Sequence, residues 1–416
     1  MLKLAIRGGT PVRTTPFPSW PVWDDAERRG LSEVLESGNW GGFPFPNTKG
    51  AEFAARFAAV HGAKYGIAAA NGTVAIELAV QAAGIGAGDE VIVPAYTWDS
   101  TAGAVLFSGG VPVFADVDPE RYCLDPAQLD AALSQRTRAI LPVHLGMNMA
   151  DMDAIGAFAA KHSLAVIEDC AHAHGASWNG RGAGSLGDAG AFSFQSSKLM
   201  SAGEGGIVLT NSAALHERAS VLINCGRSAV GGNFRAIGHN YRMTEFQAAV
   251  LLAQLDRLDA QTERREKNAL HFESCLAGVE GIRVVARDPR QTRRAIYHFV
   301  LRYDAAHFGV PRDAFVAALA AEGVPAEGVF YEAVYRSPLF PAAPGTFRVL
   351  PCPVSERAAY EESVWIPHNV LEGRTRDVED AAAAIRKIVD HISELRGFEH
   401  PSIAEKGMSR AERLTV

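Results

Sequence analysis

The chain is poor in cysteine, has no long hydrophobic run and shows no excess of basic residues. Its five cysteines are widely spaced among 416 residues and form no C-x-x-C pair, which argues against a zinc site or a disulfide framework. The N-terminal stretch has no signal-peptide core, and no apolar run reaches the length of a membrane span. We therefore expect a cytoplasmic protein without membrane contact. A formal charge of -7 argues against nucleic acid as a partner.

Short apolar strands alternate with helical segments along most of the chain. Their order favours a mostly parallel sheet with helices on both faces, in which ligands gather where strands end. The tract Met243–Arg264 has the apolar spacing of a long helix, and α+β signals follow it. We predict an α/β fold with a large domain at 1–260 that includes an N-terminal arm. A smaller α+β C-terminal domain at 261–396 and a polar, frayed tail at 397–416 complete the prediction.

Lys198 stands out because an apolar strand, Gly190–Phe194, leads directly to it. A glycine-rich turn at 202–206 follows the lysine. An amine at the mouth of a buried strand is costly unless it has a partner or is neutral, and burial makes such an amine available for Schiff-base chemistry. The alternative is a solvated lysine at the end of a hairpin.

Asp169 and His172 follow another apolar strand, Leu164–Glu168. A carboxylate at a strand end can face a ring nitrogen of a ligand, although it can equally cap a helix. His172 is compatible with the same site or with a packed core position. Trp98, just after the strand Glu90–Pro94, could stack on a flat ring or belong to the core.

A candidate anion site lies at Asn71-Gly72-Thr73, before a helical segment. Gly72 lets the backbone approach a ligand, the helix N-terminus supplies free N–H groups, and Thr73 adds a hydroxyl. Ser193 could add a second hydroxyl. Simple helix capping is the alternative for this motif.

Taken together, the order and spacing of these motifs resemble those of the DegT/DnrJ-type sugar aminotransferases, which are fold-type I enzymes that use pyridoxal 5′-phosphate (PLP). The resemblance covers nearly the whole chain. It implies that Lys198 forms a Schiff base with PLP and that Asp169 pairs with the pyridine nitrogen. It also implies that His172 lies near the ring hydroxyl and that Trp98 stacks on the ring. The phosphate would be held by Gly72, Thr73 and Ser193.

The resemblance also implies a second subunit. Asn240, in Gly238-His-Asn-Tyr-Arg-Met243, matches an asparagine that reaches the phosphate of the neighbouring subunit. The expected assembly is therefore a homodimer with shared active sites.

The segment before Lys198 bears on the substrate. It reads Phe192-Ser-Phe-Gln-Ser-Ser-Lys198, where many nucleotide-sugar members carry F-S-F-H-P-x-K. Gln195 resembles the members that act on cyclitol ketones such as scyllo-inosose, and also 3-amino-5-hydroxybenzoate synthases. The resemblance thus implies transfer of an amino group from glutamine or glutamate to a keto-cyclitol or keto-sugar in antibiotic biosynthesis. The alternatives are a dehydratase of the 3-amino-5-hydroxybenzoate type, a nucleotide-sugar aminotransferase and a non-catalytic PLP-binding sensor.

Four aromatic side chains are candidates for contact with the acceptor. Trp40 and Phe43 lie on a glycine-rich loop, whereas Tyr331 and His368 would approach the pocket from the small domain. Packing is the alternative for each of them. We expect no metal.

Overall fold

The computed structural model describes residues 3–42, 47–228, 233–340, 343 and 345–398. Phe43 and the part of the predicted tail beyond residue 398 lie outside the described residues. The α-helices are α1 Asp25–Ser37, α2 Thr48–Val60, α3 Gly72–Ala82, α4 Asp99–Phe107, α5 Leu129–Ala132, α6 Met152–His162, α7 Ala213–Ile223, α8 Glu245–Leu276, α9 Ala305–Phe308, α10 Arg312–Ala321, α11 Pro353–Arg357 and α12 Thr375–Asp390. The strands are β1 Tyr65–Ala69, β2 Glu90–Pro94, β3 Val111–Ala115, β4 Thr137–Ile140, β5 Ala165–Asp169, β6 Ser177–Trp178, β7 Arg181–Gly182, β8 Ala189–Ser193, β9 Gly206–Thr210, β10 Ile282–Val284, β11 His298–Tyr303, β12 Arg348–Val349 and β13 Ser363–Pro367.

Among the described residues, eight strands form one large sheet in the order β1-β9-β8-β5-β4-β2-β3-β12. Its pairs are parallel from β8 to β12, whereas β9 runs antiparallel to β1 and β8. Strand β2 is an unbroken apolar run because both of its faces are buried. Val91 and Val93 belong to one hydrophobic core, and Ile92 belongs to the other. Helices α3, α4 and α7 cover the first face, and α2, α6 and α8 cover the second. The predicted sheet with helices on both faces is confirmed.

The direction of the strands brings the candidate residues to one edge of the sheet. Strands β1, β2, β5 and β8 all run the same way, so their C-terminal ends meet there. The antiparallel β9 begins at that edge with Gly206, which explains why the glycine-rich turn can follow Lys198 so closely. A Cβ on Gly206 would lie 2.2 Å from the carbonyl oxygen of Asn71, so only glycine fits beside the start of α3.

A second sheet lies in the C-terminal part, where β10, β11 and β13 pair antiparallel. Helix α8 is 32 residues long, which extends it beyond the predicted Met243–Arg264. The turns beyond Arg264 bury Arg265 and Phe272, but most of their other residues are polar. The helical spacing of apolar residues is therefore weaker there, and the prediction ended too early. The predicted boundary at residue 260 falls inside α8, and the division into 1–260 and 261–396 stays a prediction.

The N-terminal arm crosses the C-terminal part and ends beside Lys198. Glu322, fully buried, accepts hydrogen bonds from the backbone N–H groups of Ala5 and Val12. Farther along the arm, the Trp20 indole N–H donates to the carbonyl oxygen of Lys198 at 3.0 Å. The arm therefore contributes directly to the position of the lysine backbone.

None of the helices in the described ranges combines the length and the apolar character that a membrane crossing requires. The cytoplasmic location stays a prediction.

Candidate active site

Asp169 lies at the end of β5 and is almost completely buried. Its Oδ2 accepts a hydrogen bond from the Thr101 hydroxyl at 2.8 Å, and its Oδ1 accepts one from the Ala171 N–H at 3.1 Å. Burial raises the pKa of the Asp169 carboxyl, while the hydrogen bond from Thr101 and the charge of Lys198 act in the opposite direction. The carboxylate is therefore buried and oriented by two hydrogen bonds.

Lys198 lies in the turn after β8, where its Nζ is 4.4 Å from the ring centroid of Tyr297. The turn is closed by the Lys198 N–H, which donates to the carbonyl oxygen of Gln195 at 2.8 Å. Because the charge of Lys198 also acts on Asp169, the amine and the carboxylate share one electrostatic environment. The Schiff base predicted for Lys198 and the contact predicted between Asp169 and a ring nitrogen stay predictions.

His172 is buried between two tyrosines. Its ring stacks on Tyr297 with the centroids 4.1 Å apart, and its Nε2 is 3.0 Å from the Tyr331 hydroxyl. The Gly146 N–H donates to Nδ1 at 3.1 Å. A neutral ring must then carry its proton on Nε2 and donate it to Tyr331. Trp98 lies beside Tyr331, with the two ring centroids 6.0 Å apart, so that Tyr297, His172, Tyr331 and Trp98 form a row of rings.

The predicted anion site is a tight cradle at the start of α3. A Cβ added to Gly72 would lie 2.4 Å from Cβ and 2.7 Å from Oγ of Ser193, so the helix N-terminus and β8 are in close contact. The Asn71 side chain caps α3 by accepting from the Val74 N–H at 3.0 Å. Thr73 donates its hydroxyl to Ser100 at 3.0 Å. Three hydroxyls and a helix N-terminus therefore meet where a phosphate could bind.

Two predicted residues stand apart from this cluster. Asn240 is exposed and pairs with Asn224 in an isolated bridge. Its predicted role belongs to a neighbouring subunit and is not tested by a single chain. Trp40 is 52% exposed and packs against Phe246 at the start of α8, with the ring centroids 5.7 Å apart. Phe43, its partner in the prediction, lies outside the described residues.

His368 and Tyr331 are both buried, and they occupy different places. Tyr331 contacts His172 and Trp98, as described above. His368 is 3.2 Å from the carbonyl oxygen of Ser197 through Nε2, and Trp20 packs edge-on against its ring at 4.5 Å. Burial lowers the pKa of His368 to about 3, so the ring is neutral. Contact of either residue with an acceptor stays a prediction.

Several residues of this site are not marked in the sequence. In the sequence, Tyr297 is an ordinary aromatic residue in a predicted strand at Ile296–Tyr303, and Ser197 is a polar residue of a turn. Thr101 and Ser100 had a local signal, because they occupy the first turn of the helix that begins after Trp98. Residues three apart on a helix lie on the same face. A site that includes Trp98 could therefore have been expected to include Thr101.

A buried group of His144, Glu168 and Cys170 has the composition of a metal site. Its carboxylate is, however, already used within the fold. Glu168 accepts hydrogen bonds from the backbone N–H groups of Gly184, Leu186 and Gly187, and it lies 3.0 Å from His144 Nε2. These contacts make Glu168 an anchor for the loop before β8.

A mostly parallel sheet with helices on both faces, and with a lysine, a carboxylate and a helix N-terminus at one edge, defines the class of fold-type I PLP-dependent aminotransferases. The chain belongs to the DegT/DnrJ/EryC1/StrS aminotransferase family, whose model matches residues 22–386. The predicted family, fold class and aminotransferase activity are thus confirmed.

Individual relatives are similar over nearly the full length. A protein of Streptoalloteichus tenebrarius, provisionally named L-glutamine:3-amino-2,3-dideoxy-scyllo-inosose aminotransferase, is 44% identical, covering 95% of this chain and 99% of the relative. An L-glutamine:2-deoxy-scyllo-inosose aminotransferase of the same organism is 39% identical with the same coverage. The crystal structure of a 3-amino-5-hydroxybenzoic acid synthase superposes with a TM-score of 0.84 at 36% identity, covering 92% of this chain and 100% of that chain.

Proposed function

We propose that the protein is a PLP-dependent aminotransferase that transfers an amino group from glutamine to a cyclitol ketone of the scyllo-inosose type. The observation that carries this proposal is the meeting of the Lys198 amine, the Asp169 carboxylate and the cradle at α3 on one edge of the sheet. Two relatives from Streptoalloteichus tenebrarius are named as L-glutamine aminotransferases of scyllo-inosose derivatives. Their names support glutamine as the donor and a keto-cyclitol as the acceptor.

The residues fit PLP by their chemistry. Asp169 would face the ring nitrogen, Lys198 the aldehyde carbon, and Gly72, Thr73 and Ser193 the phosphate. Once bound, PLP supplies an electron sink for the carbon that carries the amino group. A protonated ring nitrogen would give the buried Asp169 a positive partner, which offsets the cost of its burial.

The chain's own groups then perform three tasks. Lys198 Nζ would take a proton from the α-carbon of the donor as general base and deliver it to the aldehyde-derived carbon of PLP as general acid. Asp169 keeps the proton on the ring nitrogen, because Thr101 and the Ala171 N–H hold its carboxylate in place. The row formed by Tyr297, His172, Tyr331 and Trp98 would place aromatic surface beside Lys198, on the side where the flat ring of PLP is expected.

The central test removes the amine. Purified protein with PLP, glutamine and 2-deoxy-scyllo-inosose should yield the aminocyclitol, detected by mass spectrometry. Lys198→Ala should yield at most about one thousandth of it, because acid-base transfer and covalent attachment are both lost. Lys161→Ala, which changes an exposed lysine on α6, is the matched control and should retain full activity. Full activity of Lys198→Ala would refute the assignment.

A second candidate is the dehydratase reaction of a 3-amino-5-hydroxybenzoate synthase, favoured by the structural similarity to that enzyme. The two reactions give different products. An aminodehydroquinate-type ketone would gain aromatic absorbance with the dehydratase, whereas a keto-cyclitol would gain an amine with the aminotransferase. A TDP-keto-sugar in the same panel tests the nucleotide-sugar alternative. Consumption of the amino donor, glutamine, without any ketone present would exclude a non-catalytic sensor.

We further propose a homodimer in which Asn240 completes the site of the partner subunit. The exposed Ile237 and Phe234, at 95% and 68%, lie close to Asn240 in sequence and offer apolar surface to a second copy. Mixing inactive Lys198→Ala with inactive Asn240→Ala should restore activity, because one hybrid site regains both residues. An Asn240 that served its own subunit would leave the mixture inactive.

A further inference from the structure

Tyr297 connects three parts of the candidate site. It precedes β11, its side chain is buried, and its backbone N–H donates to the carbonyl oxygen of Gly146 at 2.9 Å. Gly146 is also the residue whose N–H orients His172. The Tyr297 ring stacks on His172 and lies 4.4 Å from Lys198 Nζ. Tyr297, which comes from the C-terminal part of the chain, therefore contacts both His172 and Lys198 at the edge of the large sheet.

The hydroxyl of Tyr297 is engaged by the turn rather than by the amine. It lies 2.7 Å from Ser197 Oγ, and Ser197 donates to Gln195 Oε1 at 2.7 Å. Since a serine hydroxyl carries one proton, Tyr297 must be the donor to Ser197. The hydroxyl thus holds the turn that carries Lys198, and the aromatic face is what the amine meets.

We propose that Tyr297 is a positioning residue for Lys198: its aromatic face receives the protonated amine whenever the amine is not bonded to the cofactor. This role rests on the proposed function of Lys198. An aromatic face attracts an ammonium group, and the attraction is stronger where water is excluded. Tyr297 acts through Lys198 and needs no contact with either substrate.

The test measures the amine itself in full-length protein freed of PLP. Lys198 is acetylated with a limiting amount of reagent, and its modification is quantified by peptide mass spectrometry relative to the exposed Lys161. Tyr297→Met, which fills the space without an aromatic face, should raise the relative rate about 3- to 30-fold. Tyr297→Phe keeps the face and should stay within about twofold of wild type. Tyr297→Leu serves as the second ring-free variant if Tyr297→Met fails to fold.

Phe330→Leu is the matched control. Phe330 is a buried ring whose centroid is 6.1 Å from that of Tyr297, and its replacement should leave the relative rate unchanged. An unchanged rate in Tyr297→Met, or an equal rise in Tyr297→Phe and Tyr297→Met, would overturn the proposal. In the loaded enzyme we expect Tyr297→Met to lower kcat about tenfold while KM for glutamine stays constant. Because acetylation needs no turnover, it decides the role of Tyr297 even if no ketone is aminated.

Discussion

Replacing Gly72 by alanine tests the phosphate cradle directly. The added methyl group would lie 2.4 Å from Ser193 Cβ and 3.1 Å from its Cα. Ordinary contacts of this kind begin near 3.4 Å. The start of α3 and the end of β8 must therefore separate by about 1 Å, and overpacking of this size typically costs about 1–3 kcal/mol of stability.

The same displacement should weaken the binding of phosphate. Moving the N–H groups at the start of α3 by about 1 Å breaks a charge-assisted hydrogen bond, which contributes about 1.5–3 kcal/mol, or about 10- to 100-fold in affinity. The assay compares pyridoxal phosphate with pyridoxal, which lacks the phosphate. Gly72→Ala should lower the affinity for the former by this factor and leave the latter unchanged.

Two control variants make the result decisive. Gly156, within α6, has open space where an added methyl group would lie, so Gly156→Ala should keep both affinities and add about 0.5–1 kcal/mol of stability. The double variant Gly72→Ala/Ser193→Gly lacks the Cβ and Oγ atoms that the added methyl group would meet. It should therefore be more stable than Gly72→Ala alone. An equal loss of affinity for both ligands, or no loss, would refute a phosphate site at Gly72.

Two further predictions concern charge. Asp169→Asn keeps the shape of the side chain but removes its charge and leaves one acceptor oxygen for the two hydrogen bonds from Thr101 and Ala171, so transfer should fall at least about 100-fold in steady-state assays. Thr101→Val, which removes one hydrogen bond and keeps the charge, should lower transfer about tenfold. His368 has a pKa lowered by burial to about 3, so the unfolded chain binds a proton below pH 6.5 that the folded chain does not, and stability falls as the pH falls from 6.5. Between pH 7.5 and 5.5, wild type should lose about 1.4 kcal/mol more than His368→Gln in urea unfolding, whereas His307→Gln, at an exposed site, should follow wild type.

The sheet and its catalytic edge could be predicted because their signals are local. Each strand of a covered parallel sheet is a short apolar run, so the residue after it must lie at the edge where ligands bind. Asp169 and Lys198 follow two such runs. Gly72 could be included because a glycine at a helix start lets the backbone approach an anion beside the free N–H groups of the first turn.

Residues that act through distant contacts could not be predicted in the same way. Tyr297 meets Ser197 and Lys198 from about 100 positions away, and no local pattern marks this contact. Trp20 is separated from Lys198 by a still longer stretch and meets only its backbone carbonyl. Helix α2 was not predicted, although Phe53 and Phe57 have the spacing of a buried helical face. Side chains that support the lysine turn become visible only when the chain is folded.

The length of α8 limits how the protein can be divided. At about 1.5 Å per residue, the helix is about 48 Å long and packs against α1 and α2 near its start and α12 farther along. A fragment ending at residue 260 would lose Arg265 and Phe272, which are buried on the remaining turns. The other fragment would begin in the middle of a helix without a cap. We expect neither piece to fold when it is expressed alone, and the two halves of the chain to be inherited and exchanged in evolution only as one unit.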